Sequence, residues 1–231
     1  MLRLIDLSLD IYHGAPTFEP DPKTSVVPHL GLNDLGYNIT QLSMSSHFGT
    51  HLDAPFHFFD DGETAENLDP RRGFGPAHVI DLRHKERKEE IQIHDFASAD
   101  ASIGPGSRII VQTGWDREYP EPHYFSDQPY LGLDACQWLV QRGVATIAMD
   151  MPTIFPREYI KAHHILLGAN VLVIEGLAHL ERLSSKEVFL IALPLRLRGR
   201  DGAPCRAVAL EGDLSTSLEA VGAQITWERG S

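Results

Sequence analysis

Apolar residues recur along the chain in short runs, several of them alternating with polar positions or rich in β-branched side chains, as in strands whose side chains repeat every two residues. These runs predict strands over residues 2–9, 39–45, 77–82, 108–113, 144–149, 171–175, 187–197 and 206–210. Helical periodicity is clearest over residues 134–142, where Cys136, Trp138, Leu139 and Val140 make an apolar face, Asp134 is placed to cap the start, and Gly143 follows the end. A second, shorter helix is expected over residues 159–167, before Gly168. Helices set among many strands predict a mixed α/β fold rather than a pure sandwich. The charged run from His84 to Glu90 reads as a solvated connection. No repeat or Gly/Ser linker divides the chain, so one domain over residues 1–231 is expected.

Composition narrows the class without naming a chemistry. The chain is 42% hydrophobic, 23% charged and 8% aromatic, enough apolar material to bury a core. Twenty Lys and Arg against 32 Asp and Glu give a formal charge of −12, a field that repels nucleic-acid backbones and anionic membrane surfaces. Asp6 and Asp10 would interrupt the apolar core of a signal peptide, and no stretch reaches about 18 apolar residues. A cytoplasmic protein is expected. Cys136, in the expected helix, and Cys205, in an expected loop, lack CxxC spacing and read as packing thiols. Twelve histidines change the picture more, because imidazole is the commonest metal ligand and titrates near neutral pH.

Three of those histidines and one carboxylate fall within the eleven residues from His47 to His57. Positions 47, 51, 53 and 57 are all odd, so extended backbone would turn His47, His51, Asp53 and His57 to one side. Straight extension would also part His47 from His57 by roughly 33 Å, so the segment has to curl. Gly49 and Pro55 permit that, and Phe48, Leu52, Phe56 and Phe58 alternate with the polar set to offer an apolar face to the core. Two imidazoles and a carboxylate at 47, 51 and 53 make a set suited to Zn²⁺ or Mn²⁺ that leaves a position for water. His57 is then either a fourth ligand or a free acid/base. His13, His29, His78, His84, His94, His123 and His179 read as unrelated surface or capping residues. Glu175 ends the apolar run 171–174, where a buried carboxylate calls for a cation.

The segment His47-Phe48-Gly49-Thr50-His51-Leu52-Asp53-Ala54-Pro55-Phe56-His57 resembles the HxGTHxDxPxH signature of the metal-dependent cyclase-like hydrolases, which include bacterial kynurenine formamidases and isatin hydrolases. The resemblance continues through Thr113-Gly114-Trp115, Asp150-Met151-Pro152-Thr153, Ala162-His163 with Glu175-Gly176-Leu177, and Leu190 to Leu195. It implies a swivelling β/β/α fold around a barrel-like mixed sheet, in homodimers or homotetramers. In the formamidase branch it implies two Zn²⁺ ions, with His47 and His51 on one metal and Asp53 between both. A histidine and a glutamate twelve positions apart complete the set. His163 and Glu175 have that spacing, so His163 is the expected ligand and its neighbour His164 the reserve.

By the same resemblance, His57 is the general acid/base of a metal-assisted amide hydrolysis, with a pKa expected near the working pH. The nearest named activity is arylformamidase-like. The formamidases carry a substrate-contacting tryptophan in a Pro-x-Trp-Pro-Gly-Asp-like segment. Ala15-Pro16-Thr17-Phe18-Glu19-Pro20-Asp21 places Phe18 there, so Phe18 is the expected substrate contact and the physiological amide stays open. The aromatic, Pro-containing stretch 119–130 is expected at the pocket mouth or a subunit contact. An isatin hydrolase-like enzyme with one Mn²⁺ on His47, His51 and Asp53 is the alternative within this chemistry. A metal-binding protein without catalysis is the alternative outside it, and would have no need of His57.

Overall fold

A computed structural model describes residues 2–19 and 21–212, apart from the side chains of 98–101. Pro20 of the 15–21 stretch, Met1 and positions 213–231 of the expected domain lie outside the described residues. Twelve strands are present among the described residues: β1 (Arg3–Asp6), β2 (Ser25–Leu30), β3 (Ile39–Ser43), β4 (His51–Asp53), β5 (Phe74–Asp81), β6 (Glu90–Ile91), β7 (Arg108–Gln112), β8 (Tyr130–Leu131), β9 (Thr146–Met149), β10 (Leu172–Glu175), β11 (Glu187–Pro194) and β12 (Gly202–Glu211). The α-helices are α1 (Leu32–Leu35), α2 (Leu133–Gln141) and α3 (Tyr159–Gly168).

Eight strands form one sheet in the order β1-β12-β11-β5-β7-β9-β10-β4, and a further pairing of β12 with β4 closes seven of them into a barrel. The strands from β5 through β10 run parallel, and the remaining pairs are antiparallel. Closure rests on β12, whose outer edge is shared: Gly202–Pro204 pair with β4, and Val208–Glu211 pair with β1. A barrel this small can hold only modest side chains. Ala77, Ala148, Ala192, Ala203, Ala207 and Ala209 are all buried within it, beside Ile110, Leu172 and Ile174. The alternate residues Ile109, Val111, Ile147, Met149 and Val173 point outward into a second core with Ala135 and Leu139 of α2 and Leu166 of α3. Strands covered on both faces explain why their sequences read as continuous apolar runs.

The mixed α/β expectation therefore holds, with differences at particular elements. Cys205 lies in β12, not in a loop, because that strand begins at Gly202. Gly132, not Asp134, is the N-cap of α2, and Asp134 sits in its first turn. The 84–90 run is not wholly solvated: the Lys85 side chain is covered, 2.8 Å from Asp95 and 3.0 Å from Glu89. β2 carries no strong apolar alternation and pairs only with β3, in an arm that leaves Leu32, Leu35, Tyr37 and Leu42 exposed. Among the described residues no helix is long and apolar enough to cross a membrane.

The barrel's open end at β12 is tied down by Glu211, whose buried carboxylate accepts hydrogen bonds from the backbone N–H groups of Ser184 and Ser185, the Ser184 hydroxyl and Arg3. Burial opposes its charge, but those donors outweigh burial and hold its pKa below the ordinary value. A depressed folded pKa gives stability that is full above the unfolded carboxylate range and is lost as pH falls through the folded value. Glu211→Gln should therefore cost about 2 kcal/mol at neutral pH, and the gap to wild type should narrow at an acid pH below the ordinary glutamate range. Urea denaturation of both proteins at the two pH values checks this.

Candidate metal centre

The central strand of the site is β4, held between β10 and β12. Leu52 is buried inside the barrel, so period-two geometry turns His51 and Asp53 out through the opposite face. Ile174 of β10 packs in the same interior, which turns Glu175 out beside them, directly across from His51 in the register. The helix α3 brings a third element: His163 is buried against this face, whereas His164 is exposed and rests on Phe58 and Phe59. Ahead of β4 the chain curls through Gly49 at φ +66°. The curl stacks His47 on His57 with ring centroids 3.9 Å apart. Gly202 is needed here, because a Cβ on it would meet Cε1 of His47 at 2.6 Å.

Hydrogen bonds fix which ring nitrogens face the carboxylates. Nδ1 of His51 donates to the Gly49 carbonyl at 2.9 Å, and Nδ1 of His163 to the Tyr159 carbonyl at 2.7 Å. A carbonyl oxygen only accepts, so Nε2 of each ring is the atom free to bind a cation. His51 Nε2 lies 3.3 Å from Asp53 Oδ1 and 3.6 Å from Glu175 Oε2. His163 Nε2 lies 3.3 Å from Asp53 Oδ2 and 3.4 Å from Glu175 Oε1. Charge-assisted hydrogen bonds are shorter, about 2.7–2.9 Å, and Asp53 Oδ2 is buried with no hydrogen-bond partner among the described residues. Donors sharing one tetrahedral zinc ion at about 2.0–2.1 Å stand roughly 3.3 Å apart. The four residues therefore fit divalent cations. Each carboxylate gives one oxygen to the His51 side and one to the His163 side, so the cluster has two poles.

His47 is held differently from the other two rings. Its Nδ1 is 2.8 Å from Asp53 Oδ1 and its Nε2 is 2.8 Å from Asp201 Oδ2, so both nitrogens are engaged by carboxylates. Burial opposes its charge, but Asp201 and Asp53 outweigh burial and raise its pKa to about 10. The same balance, with Asp53 and Glu175 as the opposing charges, raises His163 to about 10. Burial would neutralise Asp53, yet the rings of His163, His47 and His51 hold its pKa well below the ordinary value; burial and then the Asp53 charge push Glu175 upward. The site thus demands positive charge, which protons or divalent cations can supply. His57 behaves oppositely. Burial is the largest cause and brings its pKa down to about 4, so the ring is uncharged at neutral pH rather than titrating near it.

A cavity of about 250 Å³ opens over the cluster, lined by Phe18, Asp21, His47, His51, His57, Phe58, Pro152, Thr153, Tyr159, His163 and Glu175. Phe18 is half-buried and meets Phe125 and Tyr159 edge-on, each at 6.3 Å. From the 119–130 stretch, Tyr119, Tyr124 and Phe125 line a smaller adjoining cavity. Phe48 and Leu52 are buried and Phe58 stacks on His163, but Phe56 is exposed, because the 3₁₀ turn Pro55–His57 breaks the alternation. Of the seven histidines left as background, His179 alone stands in a metal-ligating type of cluster among the described residues, with Asp116 and Glu181. The residue that sequence reasoning misses is Asp201. Only the β12–β4 pairing carries it to the site, where the Ala54 N–H donates to its carbonyl at 2.9 Å.

Against this fold and site, comparison with known proteins is specific. The sequence profile of the Cyclase family, described as "Putative cyclase", matches residues 5–154, and the chain belongs to that family. It is 31% identical over 210 residues to a kynurenine formamidase of Bacillus cereus, covering 88% of this chain and 95% of that one. A kynurenine formamidase of Geobacillus thermodenitrificans is 32% identical over 207 residues, with the same coverage. Among solved structures, one from Bacillus stearothermophilus described as a "predicted metal-dependent hydrolase" matches with TM-score 0.78 and 26% identity over 92% of this chain and 100% of the other. Isatin hydrolase A from Labrenzia aggregata shares the fold, with TM-score 0.81 and 22% identity over 90% and 93%.

Zn²⁺ or Mn²⁺ at about 100 times its dissociation constant should stabilise metal-free protein by about 2.7 kcal/mol, read as a rise in Tm. Asp53→Asn should abolish the rise, because that carboxylate serves both poles. A rise that survives the substitution would place the cation elsewhere.

Proposed function

We propose that this protein is a metal-dependent hydrolase of linear or cyclic amide C–N bonds, arylformamidase-like in its reaction. One observation carries the reading: two buried carboxylates, Asp53 and Glu175, each divide their oxygens between the Nε2 atoms of His51 and His163. The kynurenine formamidase relatives and the aromatic wall of the cavity support an aryl amide as substrate. The residues that would hold metal are His47, His51, Asp53, His163 and Glu175, and the two-poled cluster favours two ions, Zn²⁺ first and Mn²⁺ as the alternative. His47 would give up its Asp53 hydrogen bond to join them. When bound, divalent cations supply Lewis-acid polarisation of a carbonyl and lower the pKa of water from 15.7 to about 7.

The chain's own residues do the rest. His57 lines the cavity as a neutral ring stacked on His47, with Nδ1 3.7 Å from Asp201 Oδ2. That leaves Nε2 to take a proton from the attacking water and return it to the departing amine. Asp201, anchored to His47 Nε2 and to the Ser46 hydroxyl, holds both rings in place. Phe18, Phe58 and Tyr159 pack against the aromatic part of the substrate and exclude water from it. An isatin hydrolase-like enzyme with one Mn²⁺ on His47, His51 and Asp53 is the second reading; it leaves the convergence of His163 and Glu175 without a use.

We read the protein as a cytoplasmic homodimer or homotetramer. The exposed Leu32, Leu35, Tyr37 and Leu42 of the β2–β3 arm support self-association, and the two free cysteines fit a reducing compartment.

His57→Ala should keep its metal and lose about 10²- to 10⁴-fold in turnover. Metal analysis of the purified variant, beside assays on N-formylkynurenine, isatin and simple formanilides, checks both halves. Metal loss in proportion to activity would make His57 a ligand instead, and wild type inactive on every amide offered would remove the proposed reaction.

A further inference from the structure

The two cavities meet along a shared wall of Phe18, Asp21, His47, His51 and Pro152. Asp21 is the one carboxylate in that wall, and it is not among the groups whose ligand atoms converge. Its side chain makes no ion pair or hydrogen bond with any described residue. Its backbone is tied to that wall: the Asp21 N–H donates to the Phe18 carbonyl at 2.7 Å, and the Phe18 ring meets Phe125 and Tyr159 edge-on. Asp21 is also only half-exposed, so its charge is not fully screened by solvent. Among the described residues, no lysine or arginine lines either cavity.

The space beside Asp21 therefore has an aromatic wall and one unpaired negative charge, with no lysine or arginine among the described residues to receive an anion. Resting on the amide-hydrolase reading above, we propose that Asp21 sets substrate choice. It favours aryl amides whose ring carries an amino or ammonium substituent, and disfavours those that carry a carboxylate in its place. The ammonium pairs with Asp21 while the ring lies against Phe18 and Tyr159. A carboxylate in the same place would meet a like charge, and such a repulsive element is how a site discriminates between substrates of one shape.

The test compares metal-loaded wild type with Asp21→Asn, and with Asp21→Ser as a second variant should the first fold poorly. Each is titrated with 4-aminobenzylamine, aniline and 4-aminobenzoate, binding being read from the shift in Tm, and kcat/KM is measured for the corresponding N-formyl compounds. Wild type should bind the benzylamine at least about tenfold more tightly than the benzoate, and either substitution should shrink that ratio to about twofold or less. An unchanged ratio overturns the proposal, as does a wild-type preference for the benzoate or no binding of any of the three. Formyl compounds that bind in the expected order without being cleaved would instead refute the amide-hydrolase reading and leave the role of Asp21 supported.

Discussion

Two carboxylates, Asp53 and Glu175, stand side by side on paired strands with almost no solvent access. A lone buried carboxylate sheds its charge, and two together resist ionising even more. Here the surrounding rings keep Asp53 ionised at the cost of protons on His47 and His163. Every other feature of the site follows from how that negative charge is balanced. The Gly49 and Tyr159 carbonyls pin the Nδ1 hydrogens and thereby aim two Nε2 atoms inward. The Nε2–carboxylate separations match ligands on a shared ion better than they match hydrogen bonds.

The barrel provides the rigidity this arrangement needs. The closing strand β12 pairs with β4 through only three residues, yet that contact delivers Asp201 to His47 and makes room for the ring at Gly202. Ligands carried on packed strands and a helix hold their geometry better than ligands on loops. The cavity walls come instead from the connections, in Phe18, Phe58, Tyr119 and Phe125. The division suits an enzyme whose reaction is set by the sheet and whose substrate choice is set by the loops around it.

Much of this was legible in the chain because local patterns coincided with tertiary roles. The odd-numbered run from His47 to His57 puts four candidate residues in one segment, which the structure brings together, and the apolar runs around Ile110, Ala148 and Ile174 are long enough to name the central strands. Asp201 was not legible in that way, being chemically indistinguishable from surface aspartates until β12 closes the barrel. Asp21 stood in the stretch that resembles the formamidase segment, but its place in the cavity wall beside Phe18 was not visible along the chain. The low pKa of His57 was hidden for a similar reason, since burial and neighbouring charge decide it and neither is visible along the chain. In the β2–β3 arm, β3 was legible as the strand expected over residues 39–45, whereas β2 was missed because it carries no strong apolar alternation.

On the proposed reading, divalent ions carry the positive charge between His51, His163, Asp53 and Glu175. Anomalous diffraction at the zinc and manganese edges, on crystals grown with each metal, tests it directly. Two peaks are expected, one within about 2.0–2.1 Å of each of the two Nε2 atoms. A single peak on the His51 side would leave the mononuclear arrangement. No peak between the two carboxylates, with the metal bound elsewhere or not at all, would leave protons as the only source of that charge and refute the metal centre.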